Sequence, residues 1–177
     1  MKVAMLAEAS NPHVNRWCCW LARKGVEVVL MSDRPPGRGL EYPGVRVRCP
    51  EWPLWRQVVT FKFRGGKYAN NRDKWAVYKP LIEEEKPDVL HAQEAIAYGP
   101  ILPRFPEYAR VLTPWGMEME NLESGDEEHD ALVRAACQAA DVVTTHAVGL
   151  EDRWSELGEF ERKKAEFFSW GVNTEMF

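Results

Sequence analysis

Three of the four histidines, His13, His91 and His146, fall where predicted β-strands end, and the carboxylates Glu8, Glu94 and Glu118 share those segments. The segments are Glu8 to His13, His91-Ala-Gln-Glu94, Thr113 to Glu118, and Thr144-Thr-His146. An imidazole and a carboxylate on neighbouring strand ends can bind hydroxyl groups, move a proton or stabilise developing charge. A histidine taken singly is more often a packed or capping residue than a ligand. Three along one edge of a parallel sheet bring a functional role for at least one of them level with the structural reading, because open α/β sheets bind ligands at their carboxyl ends.

Several sharper constellations are absent. No G-x-G-x-x-G follows the first predicted strand, and Gly65-Gly66-Lys67 lacks the upstream glycine and following Ser/Thr of a P-loop. There is no G-x-S-x-G elbow, no H-E-x-x-H and no C-x-x-C, so neither a familiar nucleophile nor a metal site is expected. The four cysteines include the adjacent pair Cys18–Cys19, which point about 100° apart on a helix, and read as small buried hydrophobes rather than bridges.

The elements that must position these residues alternate. Lys2 to Ala7 reads as a buried strand, and Asn11 with Pro12 is a helix start, since Asn accepts an orphan N–H and Pro lacks one. Val14, Trp17, Cys18 and Leu21 mark one helical face, Gly25 ends the helix, and Val26 to Met31 is the second strand. This is a βαβ unit, which calls for a parallel sheet. Further strands are predicted at Gly44–Arg48, Asp88–Ala92, Ala109–Thr113, Asp141–Thr145 and Phe167–Trp170, with an extended piece at Val58–Phe63. Helices are predicted at Lys67–Lys86, Ile96–Phe105, Glu127–Ala140 and Leu150–Leu157. The predicted class is α/β: a Rossmann-like, doubly wound, mostly parallel sheet flanked by helices.

The 177 residues suit one such domain, and the net charge of −4 hides a strong asymmetry. Residues 34–79 hold eleven Lys/Arg against three acids, interleaved with eight aromatic residues, and the rest of the chain is correspondingly acidic. Such a stretch suits either a long solvated connection or contact with anionic lipid headgroups, the latter through Arg56, Lys62, Arg64 and Lys67. An anionic acceptor would suit the same charges. Glu118 to Asp130, with seven acids in thirteen residues, reads as a solvated loop and an acidic first helical turn. No apolar run is long enough to span a bilayer and no secretory signal opens the chain, so a cytoplasmic protein is expected, with a peripheral place at the inner face of the membrane as the extension of the basic segment.

Several blocks, taken in order, resemble the N-terminal domain of a family 4 glycosyltransferase, one half of the two-domain GT-B fold. Pro12 to Ser32 (PHVNRWCCWLARKGVEVVLMS) is similar to that family's first helix and second strand. Pro87 to Leu102 (PDVLHAQEAIAYGPIL) resembles its PDxxHAH block, and Val111 to Glu120 (VLTPWGMEME) its WGSD segment. Cys137 to Gly158 resembles ADxVxxxS…LG, and the ending SWGVNTEMF resembles NGVDxxxF, where such chains pass into the second domain.

The resemblance implies a retaining sugar transferase with a nucleotide-diphosphate sugar as donor and no further cofactor. It implies an acceptor-side domain over 1–170, with 171–177 opening the connection to a C-terminal donor domain that carries an E-x7-E pair. The chain by itself is then expected to be inactive. Residue by residue, it makes His91 and Glu118 the catalytic candidates, Glu118 standing in for Asp. Asn11, His13, Glu94, Trp115, Gly116 and His146 become the substrate-binding candidates in the cleft. The family's Gly-Gly is missing beside Asn11, Gln93 replaces a second His, Trp115 takes a place that is His in many members, and His146 one that is commonly Ser. Expected partners are the nucleotide sugar, the glycosyl acceptor and the C-terminal domain, and not nucleic acid. Other readings of the residues are a non-catalytic flavodoxin-like binding domain and a fragment of a nucleotide-dependent epimerase or oxidoreductase.

Overall fold

The computed structural model describes residues 1–51, 69–120, 125–145 and 164–167. Seven strands form one all-parallel sheet in the order β3-β2-β1-β4-β5-β6-β7. They are β1 (Lys2–Leu6), β2 (Glu27–Met31), β3 (Val45–Arg48), β4 (Val89–Gln93), β5 (Ala109–Thr113), β6 (Val142–Thr145) and β7 (Ala165–Phe167). The chain runs outward from β1 through β2 to β3, and the connection after β3 returns to β4 on the other side of β1, so helices cover both faces. This is the doubly wound Rossmann-like fold that the alternating pattern predicts.

Side-chain alternation divides the core between those faces. Ala4, Leu6, Val29 and Met31 pack on one side with Tyr78, Ile82, Ile101 and Val133, while Met5, Val28 and Leu30 pack on the other with Val14 and Cys18. Helix α1 (Pro12–Arg23) covers the second face, with Asn11 as its N-cap accepting from the His13 N–H at 2.8 Å. The first face is covered by α2 (Ala69–Asp73), α3 (Trp75–Glu85), the 3-10 helix Gly99–Arg104 and α5 (Glu127–Ala139). A short α4 (Gly116–Glu120) follows β5.

Three elements differ from expectation. The helix predicted over Lys67–Lys86 is broken at Lys74 into α2 and α3; Pro80 is tolerated inside α3, and the chain turns at Lys86 through a left-handed φ of 45°. The helix predicted at Ile96–Phe105 is the 3-10 helix Gly99–Arg104, because Pro100 and Pro103 remove the N–H groups that an α-helix needs. Gly99 opens it against α5, where a Cβ would lie 2.6 Å from the Ala136 Cβ. The last described strand is Ala165–Phe167 rather than Phe167–Trp170, paired in parallel with Val143–Thr145. The segments Val58–Phe63, Leu150–Leu157 and 171–177 lie outside the described residues. Cys18, Cys19 and Cys137 are buried and Cys49 is exposed, all unbridged, and burial pushes the Cys18 thiol up to about 12.

Candidate functional site

The carboxyl ends of β2, β1, β4 and β5 lie side by side, and their loops bring most of the candidates together. After β1, the chain runs through Glu8 and Ala9 into the Asn11 cap. The Ala9 N–H donates to Ser32 Oγ at 2.9 Å and the Tyr42 hydroxyl to the Ala9 carbonyl at 2.8 Å, which pins this loop to the end of β2. His13 is exposed in the first turn of α1, and its ring meets Trp115 edge-on at 6.1 Å across the loop after β5.

After β2, Asp33 accepts from the Lys74 ammonium and the Tyr78 hydroxyl, both at 2.7 Å. The spacing of Lys74 and Tyr78, four residues apart on helical turns, puts both on one face. Lys74 is itself buried, 4.2 Å from the centre of the Tyr98 ring. Asp33, Lys74, Tyr78 and Tyr98 were not foreseen as site residues. The available signal was a carboxylate directly after the second strand and a basic–aromatic pair at helical spacing.

After β4 comes Glu94, with a φ of 74° that a non-glycine residue seldom adopts. Its carbonyl closes the turn by accepting from the Tyr98 and Gly99 N–H groups at 3.2 and 3.0 Å. Its carboxyl accepts no hydrogen bond among the described residues. Burial first, and then the charge of Glu118, push its carboxyl up to about 7, with Lys74 pulling the other way. Glu118 is differently placed. Its oxygens accept from three backbone N–H groups, Ala95 at 2.6 Å, Ile96 at 2.8 Å and Trp115 at 3.1 Å. It ties the turn after β4 to the start of α4, where Trp115 and Gly116 lie, and burial raises its carboxyl pKa while those N–H groups oppose the rise. The solvated loop expected at Glu118 is therefore a clamp, whereas the acidic turn further on is as expected: Asp126 caps α5, and Glu127, Glu128 and Asp130 follow in its first turn.

His91 sits within β4 on the α1 side of the sheet, against the edge of Trp17 at 5.3 Å. Its Nε2 lies 2.7 Å from Thr113 Oγ1, which lies 2.5 Å from Thr144 Oγ1, and Thr144 donates to the Leu112 carbonyl at 3.4 Å. His91, Thr113 and Thr144 thus form one buried polar chain across β4, β5 and β6. Full burial holds the imidazole pKa down at about 4, so the ring is neutral at neutral pH. His91 is a hydrogen-bonding group rather than a stored proton.

His146, Arg56, Lys62, Arg64 and Lys67 lie outside the described residues. Among the described residues no group of His, Cys, Asp or Glu is arranged to hold a metal ion, and no helix is long and apolar enough to cross a membrane.

A family model described as glycosyl transferase 4-like matches residues 2–147, most of the chain and all four strand-end loops up to Thr145. The chain belongs to the glycosyl transferase 4-like family. No curated protein matches it by sequence. Among solved structures, this family 4-like domain is similar to sucrose-phosphate synthase from Thermosynechococcus elongatus, with 12% identity and a TM-score of 0.72 over 100% of this chain and 50% of that one. It is similar to HepE from Anabaena in complex with UDP and glucose, at 11% identity and TM-score 0.63, over 99% of this chain and 46% of that one. The UDP-GlcNAc 2-epimerase of Methanocaldococcus jannaschii shares the fold too, at 11% identity and TM-score 0.56, over 94% and 45%. The domain thus spans about half the length of these chains and has the Rossmann-like architecture of one half of a GT-B enzyme.

Proposed function

We propose that this chain, 1–170 with 171–177 as the start of a connection, is the acceptor-side domain of a retaining glycosyltransferase that uses a nucleotide-diphosphate sugar. The observation that carries the reading is the family match across 2–147. The bond between the sugar's anomeric carbon and the diphosphate breaks, the acceptor oxygen takes its place on the same face, and the acceptor proton leaves on the departing phosphate. HepE, whose structure holds UDP and glucose, supports a UDP-sugar as the donor to try first.

In this reading Glu94 binds an acceptor hydroxyl, since it follows β4 at the carboxyl edge of the sheet and its carboxyl accepts no hydrogen bond among the described residues. His91, held by Thr113 through Nε2, has Nδ1 left for a substrate hydroxyl. Glu118 is a positioning residue, with three N–H groups to hold. Asn11, His13, Trp115 and Gly116 form the rim, and His146 belongs with them. The contact of Arg56, Lys62, Arg64 and Lys67 with an anionic membrane from the cytoplasmic side is part of the same proposal, tested by co-sedimentation with anionic vesicles.

A second reading is kept alive by one observation, the similarity to a UDP-GlcNAc 2-epimerase. The oxidoreductase reading has less support: Asp33, at the end of β2 where dinucleotide folds hold ribose hydroxyls, is already engaged by Lys74 and Tyr78. The deciding experiment incubates the protein, with its C-terminal domain, with UDP-glucose and UDP-GlcNAc, with and without a panel of sugar and polyol acceptors. Acceptor-dependent release of UDP with a new glycoside supports the transferase. Conversion of the sugar at C2 without an acceptor, or no turnover with either donor, overturns it.

A further inference from the structure

We propose that Gln93 is a specificity-determining residue, its side-chain amide binding two adjacent hydroxyl groups of a neutral sugar at the carboxyl end of β4. The inference rests on the reading of these strand ends as a transferase site, and goes beyond it by naming the group that reads the sugar.

Gln93 is the last residue of β4 and is 1% exposed. A primary amide has two protons to donate and two lone pairs to fill. Here Nε2 donates to the Met5 thioether at 3.6 Å, and that is the one hydrogen bond the side chain makes among the described residues. A thioether is a weak acceptor, and the amide oxygen accepts nothing, so most of the capacity of a buried polar group goes unused. The oxygen is not fully sealed, unlike the Tyr98 hydroxyl. Burying an amide without partners is costly, and a methionine of similar length would pack beside Met5 without that cost. Such a group in a folded protein asks for a partner from outside the chain.

The surroundings say what kind of partner fits. The contact with Met5 puts Gln93 on the α1 side of the sheet, and the two-residue alternation of a strand puts it beside His91. The register pairs it with Thr113 of β5, whose hydroxyl lies between His91 and Thr144. These three side chains spend hydrogen bonds on one another, and Gln93 is left out of the chain they form. All four are uncharged at neutral pH, because burial holds the His91 imidazole down at about 4. A phosphate or carboxylate would give up its hydration there for no ion pair. A hydroxyl both donates and accepts. Two on adjacent ring carbons can therefore give a proton to Oε1 and take the second Nε2 proton, while the first stays on Met5.

The test follows the side-chain amide itself. Its proton signals, identified by their disappearance in Gln93→Met, are watched by NMR while the full-length protein is titrated with UDP, UDP-glucose, and free glucose, galactose and mannose. A saturable shift with UDP-glucose beyond that with UDP is expected if the donor's sugar is read, and a saturable shift with a free sugar if the acceptor is read. Gln93→Met, close in volume, should weaken binding of the sugar that moves the amide by about tenfold, the worth of a pair of neutral hydrogen bonds. Its thermal midpoint without ligand should stay level or rise. No shift with any sugar, a shift already complete with UDP, or an unchanged sugar affinity in Gln93→Met overturns the inference. A lowered midpoint with unchanged sugar affinity would assign the amide to the fold, through a buried water. The outcomes are separate from turnover. Glycoside formation with the Gln93 signals unmoved removes this inference and leaves the transferase, whereas saturable shifts without turnover keep the subsite and remove the transferase.

Discussion

Glu85 and Glu94 are both largely buried glutamates in neighbouring parts of one fold, and their surroundings are opposite. Glu85, at the end of α3, is 7% exposed and meets Arg46 and Arg48 at 2.8 Å each and the Lys2 ammonium at 3.5 Å. These cations come from β3 and β1, so one carboxylate fastens the edge strand and the first strand to the helix that covers them. Glu94, at the end of β4, meets only the field of Lys74, which Asp33 already holds, and has Glu118 as a neighbour of like charge. Burial is tolerable for a charge that is fully paired and costly for one that is not. The first arrangement holds the sheet together, and the second leaves a carboxyl without a matching cation of its own, at some cost to folding.

The largest effect is expected at the paired end. Glu85→Gln removes the charge that three cations share and should cost about 3 kcal/mol, the low end for a broken buried pair because Arg46 is half exposed. Chemical denaturation at pH 7 measures it. A loss near zero would mean that the cations are equally content in water, and the contrast with Glu94 would dissolve.

Glu94→Gln should act with the opposite sign, its gain growing as pH rises from 4.5 through 7. The carboxyl pKa of the folded protein, about 7, lies above its ordinary value of 4.5, so the folded state keeps a proton that the unfolded chain has already lost. That contribution to stability is complete below 4.5 and disappears as pH rises through 7. The Gln variant should therefore match the parent at pH 5 and exceed it at pH 8 by about 2 kcal/mol, a figure reduced for the partial exposure of the group. His91 has the reverse slope. Its pKa falls from 6.5 to about 4 on folding, so its contribution is present above 6.5 and is lost as pH falls through 4. The two slopes oppose one another across the acid range in the parent, and Glu94→Gln should leave the histidine slope alone. Identical pH profiles for parent and variant would show Glu94 to be as well matched as Glu85.

Much of this arrangement is legible in the sequence because it depends on local pattern. The Asn11–Pro12 start, the apolar runs of β1 and β2 and the histidine and glutamate at the end of β4 need only near neighbours. The 3-10 helix is not legible from the apolar pattern of 96–105, because it is the missing N–H groups of Pro100 and Pro103 that decide between the two helix types. The clamp at Glu118 depends on N–H groups 22 and 23 residues away, and a carboxylate in an acidic run gives no sign of which oxygen is spoken for. Asp33 and Lys74 escaped for the same reason, being joined across 41 residues. The family blocks found the strand ends, and only packing could rank the acids that stand there.

The smallest effects should come from two tyrosines that share one environment and differ in hydrogen bonding. Tyr78 and Tyr98 are both buried, with ring centres 6.1 Å apart and nearly perpendicular. The Tyr78 hydroxyl donates to Asp33 at 2.7 Å, whereas that of Tyr98 has no partner at bonding geometry. Tyr78→Phe leaves the Asp33 carboxylate with Lys74 alone and should cost about 1.5 kcal/mol, the usual worth of a bond to a charged acceptor. Tyr98→Phe removes a buried hydroxyl that gains nothing in the unliganded protein and should be neutral or stabilising by up to about 1 kcal/mol. Thermal unfolding of the pair, in parallel, reads the difference in sign. Equal losses at both positions would mean that the Tyr98 hydroxyl is already satisfied in solution. The group that distinguishes the unpaired end from the Glu85 cluster would then be an ordinary core tyrosine, and the site would reduce to Glu94 and its neighbours.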